Sequence, residues 1–217
     1  MSTNLIEIDE QVALPGDGGP PAGGGSYDGG EGRPWRPSLP PQRTYTTGML
    51  IAIFGSAMFF LALVSASVVH RGMPGSDWMP LRPPAVLWAT SAIAIASSLT
   101  LMRSTSRLKS GHERSFSQWW TITAMLGLCF LGGQLFAFHQ LEAEGLYLVS
   151  NPSVSFFYVF AVAHGLHLLG GVIALVWIEL RPSARIPQGT ATTVAALYWH
   201  FVTVLWLFLF AFFVIGG

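Results

Sequence analysis

The sequence predicts an all-α membrane protein, a bundle of five transmembrane helices. Apolar residues make up 51% of the 217-residue chain, and charged residues only 10%. The apolar residues gather in blocks of roughly twenty without Asp, Glu, Lys or Arg, and a helix of that length spans the roughly 30 Å hydrocarbon core of a bilayer. Basic residues stand between these blocks, as they do at the ends of membrane spans. A net charge of zero gives no indication of nucleic-acid binding.

The chain begins with a tail, residues 1–44, that is predicted to lie outside the folded domain. The tail holds nine of the 24 glycines and seven of the 14 prolines, so it buries too little apolar surface to offset chain entropy. A signal peptide has a basic segment before an apolar run, and this tail has none. A mitochondrial transit peptide is rich in Arg and poor in acids, whereas six acids precede the first basic residue here, Arg33. We expect a disordered, Gly/Pro-rich cytoplasmic lead-in; a docking segment for a soluble partner is the alternative.

Residues 45–217 form the predicted membrane domain. Its spans are expected at about 48–70, 85–102, 117–139, 156–178 and 191–215. The second span is close to the lower limit of spanning length, and it is retained because Pro83 and Pro84 make a natural helix start and Arg103 a polar stop. The single cysteine, Cys129, excludes a disulfide framework, and we interpret it as a packing residue. With Gly133 four residues later, it forms a small-residue pair that lets membrane helices approach closely.

Basic residues in the flanks predict the orientation. If the N-terminus is cytoplasmic, nine of the 11 basic residues lie inside, and only Arg71 and Arg82 lie outside. This bias predicts a cytoplasmic N-terminus and a periplasmic C-terminus by the positive-inside rule. The nine inner residues are Arg33, Arg36, Arg43, Arg103, Arg107, Lys109, Arg114, Arg181 and Arg185.

The spans contain histidines but no acids. The absence of Asp and Glu weakens every function in which this chain itself moves protons. His164 and His167 are three residues apart and share a helix face, and His200 lies on the next helix. They could ligate a metal or a haem. Alternatively, they hydrogen-bond to Tyr198, Gln134 or backbone carbonyl groups of neighbouring helices.

Depth in the membrane separates these interpretations. His167 lies thirteen residues before the inner end of its span, roughly 20 Å from that edge, whereas His200 lies nine residues after its inner end, roughly 14 Å deep. The two are close enough to be hydrogen-bonded neighbours, but they are poorly placed for one haem iron, whose axial ligands lie at nearly equal depth. We therefore predict an internal polar network without metal or redox cofactor, formed by His164, His167, His200, Gln134 and Tyr198.

Two long motifs carry a family resemblance. The segment FFYVFAVAHGLHLLGG at 156–171 and the segment YWHFVTVLWLFLF at 198–210 resemble FYxxTGFHGLHVxxGG and YWHFVDxVWLxLF, which are signatures of subunit III of the haem-copper oxidases. Shorter stretches, in order along the chain, resemble the family's GMxxFxxSExMFF, SSxT and GxxFxxxQ elements: Gly48–Phe60, Ser97–Thr100 and Gly127–Gln134. Five spans correspond to the shorter bacterial form of this subunit.

The resemblance implies an accessory, non-redox subunit of a bacterial terminal oxidase in aerobic respiration, located in the cell inner membrane. It implies that the O2 chemistry, with haem and copper, belongs to subunits I and II. This subunit would pack against subunit I, bind phospholipid in a cleft and stabilise the complex through turnover. Four basic residues are candidate contacts for phospholipid headgroups, although basic residues at this boundary more often serve only to fix topology: Arg103, Arg107, Arg181 and Arg185.

The sequence departs from the family at three carboxylates. Ala57 replaces the Glu of the first motif, Ala137 replaces the Glu of a QxxEY element, and Thr203 replaces the Asp of the closing motif. The proton-uptake support and the carbodiimide-reactive site linked to these acids are therefore not expected here. The joint loss indicates a divergent branch, for example an oxidase within a larger respiratory supercomplex or a relative associated with nitric-oxide reductase.

Two functions of other classes remain as alternatives. One is a membrane anchor that binds haem through the three histidines. The other is a small transporter, against which the missing intramembrane acids and the lack of a visible internal repeat count.

Overall fold

Five long helices make up the described part of the molecule. The computed structural model describes residues 42–74, 84–145, 151–180 and 188–216, all within the unit Ser38–Gly217. The helices are α1 (Gln42–Arg71), α2 (Val86–Lys109), α3 (Glu113–Ala143), α4 (Pro152–Leu180) and α5 (Gln188–Gly216), and the described ranges contain no strand. All five are long and apolar enough to cross a membrane. The predicted five-helix membrane fold is confirmed.

The helices extend beyond the predicted spans because polar residues continue them at both ends. The last three residues of the predicted tail, 42–44, belong to the first turn of α1, and the rest of the tail lies outside the described residues. Helix α2 ends with Arg107 and Lys109 in its last turn, and α3 begins with Glu113 in its first turn. Each charge lies at the helix end whose dipole favours it.

A three-residue connection makes α2 and α3 antiparallel neighbours. Ser110 follows α2, and His112 precedes α3. Between them Gly111 has a φ of 74°, a backbone conformation that glycine adopts without the steric cost of a Cβ. The chain therefore reverses direction here in a single tight turn, and α2 packs along α3.

The remaining contacts place α1 apart from the other four helices. Helix α3 also packs against α4, and α5 packs against both α2 and α4, so these four helices enclose a common interior. Helix α1 contacts only α4 and α5 among the described helices. The main core cluster lies among α2–α5, and a smaller cluster joins α1 to the bundle through Phe60, Phe160, Leu205 and Leu209.

Two glycines on α3 leave room for groups on neighbouring helices. A Cβ at Gly133 would lie 2.3 Å from Cγ2 of Thr90 on α2, and a Cβ at Gly127 would lie 2.6 Å from Cη2 of Trp199 on α5. Both separations are shorter than a carbon–carbon contact allows, so the missing side chain of Gly133 lets α2 approach α3 closely, and that of Gly127 leaves room for the Trp199 ring. The predicted small-residue pair acts through Gly133, because Cys129 is exposed rather than packed.

Candidate functional site

The interior between α2 and α5 contains two hydrogen bonds from buried tryptophans to buried serines. The indole Nε1 of Trp199 donates to Ser97 Oγ at 3.2 Å, and Nε1 of Trp206 donates to Ser91 Oγ at 3.0 Å. The helices run antiparallel here, because the tryptophan nearer the start of α5 meets the serine nearer the end of α2. All four residues are buried.

Each serine is oriented by its own helix to accept these bonds. Ser91 Oγ donates to the Leu87 carbonyl at 2.8 Å, and Ser97 Oγ donates to the Ala94 carbonyl at 2.7 Å. Since each hydroxyl proton is used within α2, the lone pairs remain for the indole N–H groups. Two buried tryptophans thus find partners for their only polar atom, as large amphipathic rings require in an apolar interior.

The Ser97–Thr100 element is a polar junction of three helices. Beside the bond between Ser97 and Trp199, Ser98 Oγ lies 2.7 Å from Nδ1 of His200, and Thr100 Oγ1 lies 2.8 Å from Oγ1 of Thr123 on α3. Sequence reasoning noted this element as a family resemblance only. Its spacing is the available signal, because adjacent residues on a helix point in directions about 100° apart, so Ser97 and Ser98 reach different neighbours.

Histidines 164 and 167 face different surroundings, although they share one helix. His164 is buried, with its ring 5.8 Å from the Phe130 ring and 5.1 Å from the Trp206 ring, centroid to centroid. His167 turns toward α1, with its ring 5.3 Å from the Phe60 ring. Its Nδ1 lies 2.8 Å from the carbonyl oxygen of Ala163, on the same helix.

The five predicted network residues occupy several sites rather than one. Tyr198 donates its hydroxyl to the backbone carbonyl of His167 at 2.9 Å, which joins α5 to α4. His200 pairs with Ser98, as described above. Gln134 is buried on α3, and its Nε2 donates to Thr90 Oγ1 on α2 at 3.4 Å. His164 Nδ1 is buried without a hydrogen-bond partner in the described part of the chain.

The three positions that lack the family acids differ in burial. Ala57 is half-buried on α1, and Ala137 is buried in the core on α3. Thr203 is buried on α5, where its hydroxyl donates to the carbonyl of Trp199 at 3.0 Å, one turn earlier. A polar side chain at position 203 is therefore satisfied locally, within its own helix.

One of the acids at the helix ends links two helices. Glu179, near the end of α4, accepts hydrogen bonds from Ser117 Oγ at 2.5 Å and from Thr121 Oγ1 at 3.2 Å, and so links α4 to α3. Within the described ranges no group of three or more His, Cys, Asp or Glu side chains is placed to hold a metal ion.

The basic residues predicted to contact lipid are partly described. Arg103 lies exposed near the end of α2, with its Cζ 5.5 Å from the centre of the Trp119 ring. Such a cation–π contact uses the face of the guanidinium and none of its five N–H donors. Arg107 is also exposed. Arg181 and Arg185 lie outside the described residues.

Comparison with known proteins identifies the relatives of this bundle. The family model for cytochrome c oxidase subunit III matches residues 39–217. A probable cytochrome c oxidase subunit 3 from Nocardia farcinica is 32% identical over 180 residues, which cover 80% of this chain and 89% of that relative. A Mycobacterium tuberculosis protein with the same description is 32% identical over 181 residues, covering 80% and 88%. Cytochrome c oxidase subunit 3 from Thermostichus vulcanus is 32% identical over 170 residues, covering 75% and 83%.

Proposed function

The chain belongs to the cytochrome c oxidase subunit III family, and from that premise we propose that it packs against subunit I of a bacterial terminal oxidase, in a complex that also contains subunit II. The observation that carries this proposal is the family match over 39–217, which includes all five helices. Subunit III is an accessory membrane subunit of the oxidase, so haem and copper are assigned to the partner subunits. Membership of a larger respiratory supercomplex is part of the same proposal.

The interior polar residues have a structural role in this proposal. Hydrogen bonds between α5 and α2 pair Trp199 with Ser97, Trp206 with Ser91 and His200 with Ser98, and the hydroxyl of Tyr198 ties α5 to α4. In an apolar bilayer such bonds hold helices together, because removing one partner leaves the other unsatisfied among hydrocarbon. A rigid bundle presents a fixed surface to the catalytic subunit, which is what an accessory subunit needs to stabilise its complex.

The orientation follows from the charges that flank the helices. Arg43 lies in the first turn of α1, and the ends of α2 and α3 on either side of their junction carry Arg103, Arg107, Lys109 and Arg114. In a five-helix chain the start of α1 and the α2–α3 junction lie on the same side of the membrane. The positive-inside rule makes that side cytoplasmic, with the C-terminus periplasmic, in the bacterial inner membrane.

A bound phospholipid completes the proposal, and an apolar cavity supports it. The cavity, about 330 Å³ in volume, lies between α1, α4 and α5 near the start of α1. Its wall includes Met49 and Ala52 of α1, Trp177 of α4, and Val194 of α5. Cavities of this size and apolar character suit an acyl chain, which is the abundant apolar ligand in a bilayer. Arg181 follows directly after α4 in the sequence, on the side proposed to be cytoplasmic, where an anionic headgroup would lie.

Purification of the tagged chain from its native membrane tests the assembly. We expect the large haem-bearing and copper-bearing oxidase subunits to co-purify, with additional respiratory subunits if a supercomplex exists. We expect the haem absorption of the preparation to be unchanged by His200→Ala, because His200 is assigned to Ser98 rather than to iron. A Soret band from the chain free of its partners, lost in His200→Ala, would support the haem-anchor alternative instead. Solute uptake by the chain alone in liposomes would support the transporter alternative.

Lipid content tests the cavity separately. A tryptophan at Ala52 fills the apolar cavity, whereas a tryptophan at Ala62 lies on an exposed part of the same helix. We expect mass spectrometry of the purified complex to find one phospholipid fewer per complex in Ala52→Trp, and no change in Ala62→Trp. Equal lipid content in the two variants would remove the lipid from the proposal without affecting the assembly.

A further inference from the structure

A small cavity lies at the centre of the bundle, where α2, α3, α4 and α5 all meet. Its volume is about 10 Å³. Most of its wall is apolar or aromatic, and it includes Phe130, Leu168 and Val202. Three polar side chains also line it: Ser97 of α2, His164 of α4 and Thr203 of α5. The space is about that of one water molecule, and the polar groups distinguish it from a dry packing defect.

The ring of His164 is the group that needs a partner in this cavity. The side chain is 1% exposed, and its Nδ1 has no hydrogen-bond partner among the residues that the structure describes. Neighbouring rings of Phe130 and Trp206 offer no donor or acceptor to it, because the indole N–H of Trp206 is already given to Ser91. A buried polar atom left unpaired costs free energy, so an ordered partner at this position is favoured.

The hydroxyl groups of Ser97 and Thr203 can bind a partner of His164 Nδ1, but neither hydroxyl is bonded to Nδ1 directly. Ser97 Oγ donates to the Ala94 carbonyl and accepts from Trp199 Nε1, which leaves it one lone pair. Thr203 Oγ1 donates to the Trp199 carbonyl and has lone pairs to spare. Both hydroxyl oxygens can therefore accept a further hydrogen bond, but neither has a proton left to donate. A group that donates to them, and that pairs with His164 as well, has to be both donor and acceptor.

We propose that a single structural water molecule occupies this cavity, bound by Nδ1 of His164, Oγ of Ser97 and Oγ1 of Thr203. Water meets every requirement of the site. It can donate to both hydroxyl oxygens while it accepts from a protonated Nδ1. Three partners is the usual number for a buried water. The water would connect His164 of α4 to α2 and α5, which are already joined here by the bond between Trp199 and Ser97.

The site gives Thr203 a second role besides its bond within α5. Valine has the shape of threonine without the hydroxyl, so Thr203→Val removes one water ligand with little change in volume. Thr193 provides the matched control. It lies on the same helix, and its hydroxyl donates to the Gly189 carbonyl four residues earlier, as Thr203 does to Trp199, but Thr193 is exposed.

The experiment is a structure of the protein with its native partner subunits, at a resolution that shows ordered water, together with thermal unfolding of the two variants. We expect a density peak within hydrogen-bond distance of His164 Nδ1, and a fall of several degrees in the unfolding midpoint of Thr203→Val beyond that of Thr193→Val. A cavity without a peak, or His164 bonded directly to Ser97 or Thr203 after a change of rotamer, would overturn the proposal. Equal midpoints for the two variants would also overturn it.

Discussion

Helices α1 and α2 both cross the membrane, but they are held in opposite ways. In the most apolar 18-residue stretch of α1 the mean hydropathy is 2.3, and 6% of that stretch is buried inside the protein. In the corresponding stretch of α2 the mean hydropathy is 1.4, and 39% of it is buried. The less apolar helix is therefore the more enclosed one. In a soluble protein the order would be reversed, because burial there removes apolar side chains from water.

The difference follows from the solvent. Lipid tails are as apolar as leucine, so an apolar helix gains little by leaving them, whereas a serine or threonine gains a partner by turning inward. Ser91, Ser97 and Thr100 of α2 find such partners on α3 and α5. Helix α1 meets the bundle through aromatic and aliphatic contacts around Phe60. For these two helices polarity goes with the interior and hydropathy with the lipid-facing edge, whereas α4 and α5, with a mean hydropathy of 2.1, are as enclosed as α2.

The largest effect is expected where α1 meets the bundle. Phe60 is 1% exposed and packs on Phe160, Leu205 and Leu209, whereas its neighbour Phe59 is 48% exposed. We expect Phe60→Ala to destabilise the protein by about 3 kcal/mol, at the low end for a buried phenylalanine because the lost contacts are partly replaced by lipid. Phe59→Ala should leave stability unchanged. Thermal unfolding of the purified complex measures both, and an equal loss in Phe59→Ala would show that a partner covers the outer face of α1.

The next effect concerns the close approach of α2 and α3. A methyl group at Gly133 would meet Thr90 Cγ2 at 2.3 Å, and Thr90 cannot rotate away without losing its bonds to Leu87 and Gln134. Gly132, the preceding residue, has open space where its own Cβ would lie. We expect Gly133→Ala to cost about 1–3 kcal/mol. Gly132→Ala should be neutral or slightly stabilising, since alanine favours the helix. If both variants unfold at the same temperature, the helices are not held at this distance.

The sequence predicts the helices of this structure but not the hydrogen bonds between them. The five spans follow from charge-free blocks of the right length, and their order follows from the chain. The interior bonds do not follow, because Ser91 and Trp206 are 115 residues apart and no local periodicity relates them. His164 and His167 show that two residues on one helix face can still have different neighbours, since residues three apart on a helix differ by about 60° in direction. That angle is enough to place one ring among α3 and α5 and the other against α1.

A smaller effect is expected from one interior hydrogen bond. Ser91 and Ser106 both lie on α2, and each donates its hydroxyl to a carbonyl four residues earlier, but only Ser91 also accepts from an indole, that of Trp206. We expect Ser91→Ala to cost about 1 kcal/mol, because it leaves the Trp206 N–H buried without its acceptor. Ser106→Ala, on an exposed position, removes only the intrahelical bond. Unfolding midpoints that fall equally would show that the indole bond adds nothing to the stability of the interior.

The least change is expected from a carboxyl reagent. Within the described helices the acids are confined to the ends, at Glu113, Glu142 and Glu179, and Glu179 is already held by Ser117 and Thr121. We therefore expect a hydrophobic carbodiimide to label no residue in the helix interiors. Ala57→Glu is the positive control, because it places a carboxyl at the half-buried position 57 of α1, within reach of a reagent dissolved in the lipid. Mass-spectrometric mapping should find the modified residue in that variant only. A label in the interior of the unaltered chain would mean that some other side chain carries the reactivity attributed to the family's acids. An unlabelled Ala57→Glu would show that a carboxyl exposed to lipid at this edge does not react with the carbodiimide.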